Sequence, residues 1–349
     1  MKWILASAIF FTMPLFAAVK ATNNQAPPHE ELDPDLFKKN DQIYAVHAEF
    51  LYWTATEGAL DYALTMKNNA WGTSSSYAQG KFENANFDMD PGLRVALVYF
   101  RAPRYWEVRW QYTRIAFGGK DSASKPSADQ EFLTGTWPQI TTAPLAKATS
   151  RIHLNYNVFD MNVDRVFIPN PHLRLRVIGG AAVAWINQDW KVRYSDSAPN
   201  STTIRNKWDF IGAGIKSGTW VDWYWNSYNI YMTAQGGMGL LMGRYTNHAK
   251  QTTTVQPLSS DNPTIPIRNT SYEDVRPTFT VQMILGPSWQ KNYPKNRVEI
   301  FAGFEMNCWF NLQEIYRSTA GGPSAAKETW INNGLLSLYG LTTRASVDF

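Results

Sequence analysis

The chain has 349 residues, with 33 basic and 29 acidic side chains, and its formal net charge of +4 is too small to predict a nucleic-acid partner. Charged residues make up 18% of the chain, below the roughly 25% of an average globular protein, whereas aromatic residues make up 14%. A mean hydropathy of −0.35 excludes a bundle of membrane-spanning helices, and a single cysteine excludes an internal disulfide framework.

The N-terminal segment has the features of a secretory signal peptide. Lys2 precedes an apolar run from Trp3 to Val19, which is short for a membrane-spanning helix. Small residues follow, and we expect cleavage after Ala21, or alternatively after Ala18. An uncleaved membrane anchor is the less favoured interpretation. The sequence therefore predicts export from the cytoplasm.

Beyond residue 42, apolar and polar side chains alternate with the period of two that is typical of half-buried strands. In the first of these segments the apolar face carries Tyr44, Val46, Ala48, Phe50 and Tyr52. Further segments with this pattern begin near Leu93, Trp106, Ile152, Leu173, Phe210, Tyr228, Phe279, Val298 and Tyr339. Ten strands follow from this count if residues 44–66 form one strand.

The number of strands depends on that first segment. A turn near Glu57 and Gly58 would give eleven strands, and an odd number cannot place both termini on the periplasmic side. We favour one long strand with a glycine kink, because the apolar phase continues through Thr56 and Gly58. Twelve strands, with one more before Ile43, is the alternative. A second irregularity is expected near Phe159, where apolar side chains move from even to odd positions and predict a β-bulge.

Short and long connections alternate between the strands. The short ones are Arg101–Arg104, Ile168–His172, Asp222–Ser227 and Gln290–Asn296. The long ones are Gly118–Thr149, Ser195–Thr203, Asn247–Tyr272 and Asn311–Asn333. This alternation predicts an all-β fold: a transmembrane antiparallel β-barrel of about 10–12 strands with short periplasmic turns and long extracellular loops. The direction of the longest loop, inward as a constriction or outward as an adhesive surface, is left open.

Three parts are therefore expected: a signal peptide over 1–21, a flexible or plug-like N-terminal segment over 22–42, and an outer-membrane β-barrel over 43–349. The aromatic side chains expected at the lipid or its interfaces are Tyr44, Trp106, Trp110, Tyr112, Trp185, Tyr228, Tyr339 and Phe349. The last segment alternates up to Phe349, which is expected of a strand that closes a barrel. Its apolar stripe is a candidate signal for the barrel-assembly machinery, carried by Tyr339, Leu341, Val347 and Phe349.

The polar faces of the strands supply candidates for the lining of a pore. They are Glu49, Arg94, Glu107, Arg109, Arg151, His153, Asp160, Asp164, Arg174, Arg176, Lys216, Glu299 and Arg344. Charged side chains at a constriction bias ion selectivity, and a slightly basic mixture predicts a weak anion preference. For any single residue, bracing of a narrow interior is an equally good interpretation.

Catalytic and metal-binding patterns are weak. The sequence has no HExxH, CxxC or GxSxG motif, and its five histidines have no metal-binding spacing. We therefore predict no catalytic residues, no metal and no cofactor. His47 beside Glu49 is better explained as a structural hydrogen bond than as an acid–base pair. Cys308 lies on an apolar stripe and is expected to be an inert thiol.

Four segments carry a resemblance to a known family: AEFLYWTATEGALDYAL (Ala48–Leu64), DMDPGLRVALVY (Asp88–Tyr99), SRIHLNYNVFDMNVDRVF (Ser150–Phe167) and LRLRVIGGAAVAWINQDWKVRY (Leu173–Tyr194). In this order they resemble the Legionella-type major outer membrane protein family, MOMP-like pore-forming proteins that also occur in chlamydia-like bacteria. The resemblance implies a porin in the outer membrane of a Gram-negative bacterium, and also a surface antigen. Chlamydial major porins are rich in cysteine, so the single Cys308 argues against a cross-linked envelope here.

The predicted function is diffusion of ions and small solutes through a water-filled channel. The expected partners are outer-membrane lipid, the barrel-assembly machinery, small solutes and a second copy of the chain in a homo-oligomer, but no nucleic acid. Two alternatives from other classes are a surface adhesin that contacts host cells through its extracellular loops and an outer-membrane barrel enzyme.

Overall fold

The structure, a computed structural model, describes residues 42–67, 80–101, 105–127, 131–137, 145–170, 172–196, 200–225, 229–254, 264–318, 328–332 and 334–349. The expected signal peptide and N-terminal segment lie outside these residues. Within them the chain forms strands, turns and bends. None of the described residues belongs to a helix long and apolar enough to cross a bilayer.

Fifteen strands lie within the described residues: β1 (Gln42–Glu57), β2 (Asp61–Lys67), β3 (Gly80–Asn84), β4 (Asp90–Arg101), β5 (Trp106–Ser124), β6 (Glu131–Gly135), β7 (Leu145–Asn170), β8 (Leu173–Asp196), β9 (Ser201–Tyr224), β10 (Ile230–Thr254), β11 (Thr264–Asn292), β12 (Arg297–Phe310), β13 (Glu314–Ser318), β14 (Glu328–Asn332) and β15 (Leu336–Asp348). Ten of them pair antiparallel into a closed ring in the order β1, β4, β5, β7, β8, β9, β10, β11, β12, β15. The predicted antiparallel barrel of ten strands is confirmed.

The ring closes between its first and last strands. β1 and β15 pair from Ala45 opposite Asp348 to Glu57 opposite Leu336. The backbone amide of Phe349 also donates to the carbonyl of Tyr44 at 2.9 Å, and Tyr44 donates back at 3.1 Å. No backbone edge is therefore left open at this seam, as a lipid environment requires.

The count of ten is right, but the expectation that residues 44–66 form one strand is wrong. β1 ends at Glu57, and Ala59 adopts a positive φ of 59° that turns the chain out of the ring. β2 then pairs with β3 and with β6, and β6 joins β7 at Leu133. We call β2, β3 and β6 the cap. The apolar residues Leu60, Tyr62, Leu64 and Met66 are buried beneath this cap and do not face lipid.

Outward-facing side chains form an apolar belt around the ring. Its exposed members include Tyr44, Phe50, Leu97, Trp110, Met161, Trp185, Ile211, Trp223, Leu240, Phe279, Phe304 and Leu341. On β9 the belt runs from Ile211 to Trp223, a rise of roughly 30 Å along the bilayer normal at ordinary strand tilt. The short turns and the two ends of the described chain lie on one side of the belt, which we assign as periplasmic.

The strands on one side of the barrel continue well above the belt, and we call the parts of β5 and of β7 to β11 that lie above it the extension. β7 to β11 have 24 to 29 residues each, whereas a membrane span needs about 9–11. Residues Gly118–Ser124 belong to β5, and the described residues within the loops expected at Ser195–Thr203 and Asn247–Tyr272 are nearly all strand. The long loops were therefore overestimated. Their Ser- and Thr-rich composition belongs to strand surfaces that face water.

The polarity of these strands reverses between the belt and the extension. On β7, Ile152, Leu154, Tyr156 and Val158 point inward, as do Asp160 and Asp164 further down. The pairing of β7 with β5 and β8 is continuous through Phe159, so the β-bulge predicted there is wrong. The apolar phase changes because β7 is apolar inside and polar outside in the extension, whereas in the belt it is polar inside and apolar outside.

Candidate functional site: the charged interior of the barrel

Below the extension, the interior of the barrel is filled by ionisable side chains, which we call the charged section. Its cations are Arg94, Arg109, Arg174, Arg176, Lys216, Arg297 and Arg344. Its acids are Glu49, Glu107, Asp160, Asp164, Asp222, Glu299, Glu305 and Asp348. With seven cations and eight acids among the described residues, the interior is nearly balanced. The slightly basic interior expected from the sequence is therefore wrong.

Arg94 of β4 connects both sides of the barrel. Its guanidinium donates to Glu49 Oε2 at 2.8 Å and to Glu305 Oε1 at 2.7 Å, and its Nε donates to the Thr113 hydroxyl at 2.9 Å. Glu305 also accepts hydrogen bonds from Gln282, Asn307 and Thr342 at 2.8 to 3.0 Å. Arg94 and Glu305 are almost fully buried, so each charge depends on the other for its stability.

Three arginines surround one indole nearer the periplasmic end. The guanidinium carbons of Arg109, Arg176 and Arg344 lie 4.6, 4.7 and 4.6 Å from the ring centre of Trp220. These residues come from β5, β8 and β15, and Trp220 from β9, so the contacts cross the whole interior. Cation–π contacts of this kind are strong when desolvated. Trp220 is 2% exposed and lies inside the barrel among these three guanidinium groups.

The remaining charges extend this network toward the periplasmic rim. Arg174 and Asp222 form an ion pair at 2.8 Å, and Arg344 pairs with Glu299 at 2.8 Å. A small cavity of about 30 Å³ lies beside Glu299 and is lined in part by His47 and Glu107, with room for about one water molecule. Solutes larger than water do not fit in this cavity.

Several polar atoms in the charged section have no hydrogen-bond partner among the described residues. They include both carboxylate oxygens of Asp164 and one nitrogen each of Arg109, Arg174, Arg297 and Arg344. Unpaired buried polar atoms are costly, so this section gains stability by taking up water or ions. Lys216 is the most accessible of the cations, with its side chain 20% exposed beside Asp160 at 2.8 Å.

Above the charged section the interior is largely apolar, although polar side chains such as Asn206, Asn247 and Arg276 are also buried there. Inward side chains such as Trp53, Phe117, Trp190 and Phe210 form one cluster with Leu60, Tyr62 and Leu133. Trp137, just after β6, packs edge-on against Trp190 at 4.8 Å. The described part of the predicted loop Gly118–Thr149 that leaves the ring thus folds inward.

A hydrogen bond from the Tyr194 hydroxyl to the carbonyl of Tyr62 also joins the cap to the wall, at 2.5 Å. Burial, with Asp121 and Glu83 nearby, raises the pKa of Tyr62 to about 12, so its phenol stays neutral. Tyr62 therefore brings no charge into the interior next to the cap.

Most of the predicted pore-lining residues lie in the charged section. These are Glu49, Arg94, Glu107, Arg109, Asp160, Asp164, Arg174, Arg176, Lys216, Glu299 and Arg344. The prediction is wrong for Arg151 and His153, which are exposed on the outer wall of the extension. Arg151 and His153 occupy odd positions of β7, which face outward, as do Phe159 and Met161. The bulge predicted at Phe159 led to the wrong assignment of Arg151 and His153 to the inner face.

The sequence prediction missed Asp222, Arg297, Glu305 and Asp348. The alternating pattern could have identified Glu305 and Asp348 as interior residues, since each lies on the polar face of its predicted strand. Asp222 was assigned to a turn, because β9 continues to Tyr224, further than its weak pattern indicated. Alternation could not identify Trp220 as an interior residue, because an indole that faces the interior has the same apolar character as one that faces lipid.

The remaining predicted positions lie on the outer surface. Leu341, Val347 and Phe349 are exposed on the outer face of β15, and Tyr339 on the same face is half-buried. Tyr44, Trp106, Trp110, Tyr112 and Trp185 are also exposed, whereas Tyr228 lies outside the described residues. The Cys308 thiol is half-buried, 3.5 Å from the Ser337 hydroxyl.

Comparison with known proteins gives one strong match. Residues 38–349 match the family described as Legionella pneumophila major outer membrane protein precursor. No curated protein matches the sequence.

Solved structures with partial likeness include the outer membrane protease OmpT from Escherichia coli, at 10% identity and a TM-score of 0.40 over 91% of this chain and 99% of that one. A Pseudomonas aeruginosa FadL homologue has 8% identity and a TM-score of 0.24, over 88% and 90% of the two chains. The fold assignment rests on the strand pairing of this chain and on the family match.

Proposed function

We propose that this chain, which belongs to the Legionella pneumophila major outer membrane protein precursor family, is a channel for ions and small solutes that can close. The protein is an outer-membrane β-barrel. The proposed path runs along the barrel axis through the charged section, and the arrangement around Trp220 is its closed constriction. The cap and the apolar cluster beneath it form a second barrier at the extracellular end.

The contrast between the two parts of the interior carries this proposal. Above the charged section the interior is built largely from apolar side chains such as Trp190 and Phe210, with fewer charged groups, such as Arg276, among them. Within the membrane belt the same barrel instead holds fifteen ionisable side chains. Buried ion pairs are seldom more stable than apolar residues of similar volume, so packing alone does not account for the charged section. A hydrated path does account for it.

The polar atoms without partners support the same conclusion. Asp164 and five arginines of the charged section have hydrogen-bonding capacity left over. Water or a passing ion satisfies this capacity when the constriction opens. Because cations and acids are nearly balanced, we expect weak ion selectivity in place of the anion preference predicted from the sequence.

Conductance of the full-length mature barrel in planar bilayers tests the proposal. We expect Trp220→Ala to raise the single-channel conductance or the open fraction several-fold, because the three guanidinium groups lose the ring that they contact. The matched control is Trp223→Ala. It removes an indole on the same strand that is 58% exposed on the outer face, and it should leave conductance unchanged.

Two results would count against the channel. One is the absence of conductance for both the wild-type protein and Trp220→Ala, with folding verified by heat-modifiable migration on gels. The other is an equal effect of the two substitutions, because this would exclude a constriction at Trp220. The proposal includes no catalytic step, and homo-oligomer formation and the absence of a nucleic-acid partner stay predictions from the sequence.

A further inference from the structure

Five basic side chains form a row across the outer wall of the extension. They are Lys120 of β5, Arg151 of β7, Lys191 of β8, Arg205 of β9 and Lys250 of β10. Each is directly paired in register with the next, so the row crosses five neighbouring strands without interruption. At the usual interstrand spacing it is roughly 19 Å wide. We call these residues the basic row.

Most of the basic row has no partner of opposite charge. Arg205 pairs with Asp189, and Lys207 lies 3.7 Å from the same carboxylate. Lys120, Arg151, Lys191 and Lys250 form no ion pair with any described residue and are exposed to solvent. Like charges directly opposite each other on neighbouring strands are destabilising. The folded protein therefore carries an electrostatic cost here that an anionic ligand removes.

Open grooves in the outer wall border the basic row. Two neighbouring grooves, of about 430 Å³ and about 420 Å³, share Arg151 and Lys191 in their linings. The first groove adds Lys120 and Arg193, and the second adds Arg205 and Lys250. The hydroxyls of Thr149, Thr203 and Thr252 lie in the next row and provide hydrogen-bonding groups between the charges.

The height of the row above the membrane belt identifies the source of the anion. On β8, Lys191 lies six residues beyond Trp185, and on β9, Arg205 lies six residues before Ile211. Trp185 and Ile211 are exposed and pair with each other at the upper edge of the belt. Six residues correspond to roughly 20 Å along a strand and about 15 Å along the bilayer normal. The row also faces sideways, toward the lipid that surrounds the barrel.

We propose that the basic row binds the phosphorylated inner sugars of a glycolipid of the lipopolysaccharide class in the outer leaflet. Its acyl chains would lie against the apolar belt, and its anionic sugars would extend upward along the wall to the row. Arginine and lysine bind phosphate through short charge-assisted hydrogen bonds. A sulfated glycan from outside the cell carries similar charge, but it has no acyl part to place against the belt. This inference does not depend on the proposed channel.

Binding of purified, phosphorylated rough lipopolysaccharide to the full-length mature barrel in detergent micelles tests the proposal. The test variant combines Lys120→Gln, Arg151→Gln, Lys191→Gln and Lys250→Gln. The control variant removes the same number of charges at the periplasmic end, through Arg101→Gln, Arg165→Gln, Lys291→Gln and Lys295→Gln. Dephosphorylated lipopolysaccharide and heparin are the comparison ligands, and titrations are repeated at low and high salt.

We expect the test variant to bind at least about tenfold more weakly than the wild-type protein and the control variant. Binding should weaken with salt and with loss of the phosphates. The test variant should fold at least as stably as the wild-type protein, because like-charge repulsion is relieved. Equal affinity of the two variants would overturn the proposal. Tighter binding of heparin than of lipopolysaccharide would also overturn it and assign the row to an external glycan.

Discussion

Arg94 illustrates why single residues of the charged section are expected to tolerate little change. Its guanidinium is held by two buried carboxylates and lies 5.3 Å from the ring of Trp53. Removing one partner of a buried ion pair leaves an uncompensated charge, which costs more than the pair itself contributes. Replacing all partners together avoids that penalty.

We therefore expect Arg94→Met to lower the free energy of unfolding by about 3–5 kcal/mol, measured by guanidinium denaturation in micelles. Adding Glu49→Gln and Glu305→Gln should recover more than half of the loss, since no buried charge is then left unpaired. The control is Arg244→Met, because Arg244 forms an exposed ion pair with Glu273 and should cost less than about 1 kcal/mol. Similar losses of unfolding free energy for Arg94→Met and Arg244→Met would show that the buried Arg94 network contributes no more to stability than an exposed ion pair.

At the scale of the strand, the sequence predicted what alternation can express. Eleven of the thirteen proposed lining residues lie on the polar face of a strand with regular alternation, and these eleven lie inside the barrel. Alternation does not say which face is inside, however, and Arg151 and His153 were misplaced where polarity reverses. The pattern also could not reveal that Ala59 takes a positive φ, because alanine rarely does so. The cap depends on contacts between distant segments, such as Trp137 with Trp190, and no local pattern records them.

The cap is expected to loosen without unfolding the barrel. It is joined to the ring through one paired position, Leu133 with Leu145, through the hydrogen bond from Tyr194 to Tyr62, and through side-chain packing. Trp137→Ala should cost about 3–5 kcal/mol within this packing. We expect faster trypsin cleavage after Lys67 or Lys81, while the barrel keeps its heat-modifiable migration. Trp185→Ala, an outward indole on β8, is the control, and equal cleavage rates in both variants would show that Trp137 does not hold the cap.

At the scale of the whole molecule, the barrel is uneven. The wall from β7 to β11 is tall, whereas β4, β12 and β15 have only 12 to 14 residues. The tall wall carries the basic row on its outer face and much of the apolar section on its inner face. The low wall contains the seam between β1 and β15, where the ring must close during assembly. The basic row and the seam at which the barrel closes therefore lie on opposite sides of the barrel.

Closure at the seam leads to a test of the outward stripe of β15. Phe349 joins Tyr44 through two backbone hydrogen bonds, which any residue there can form, while its ring projects 49% exposed on the outer face. Phe349→Ala should therefore leave the seam and the conductance of assembled barrels unchanged. If the stripe is recognised by the barrel-assembly machinery, the amount of folded protein in the outer membrane should fall several-fold. Phe310→Ala removes a comparably exposed outward ring from β12 and is the control. An equal yield for the two variants would remove Phe349 from the assembly signal.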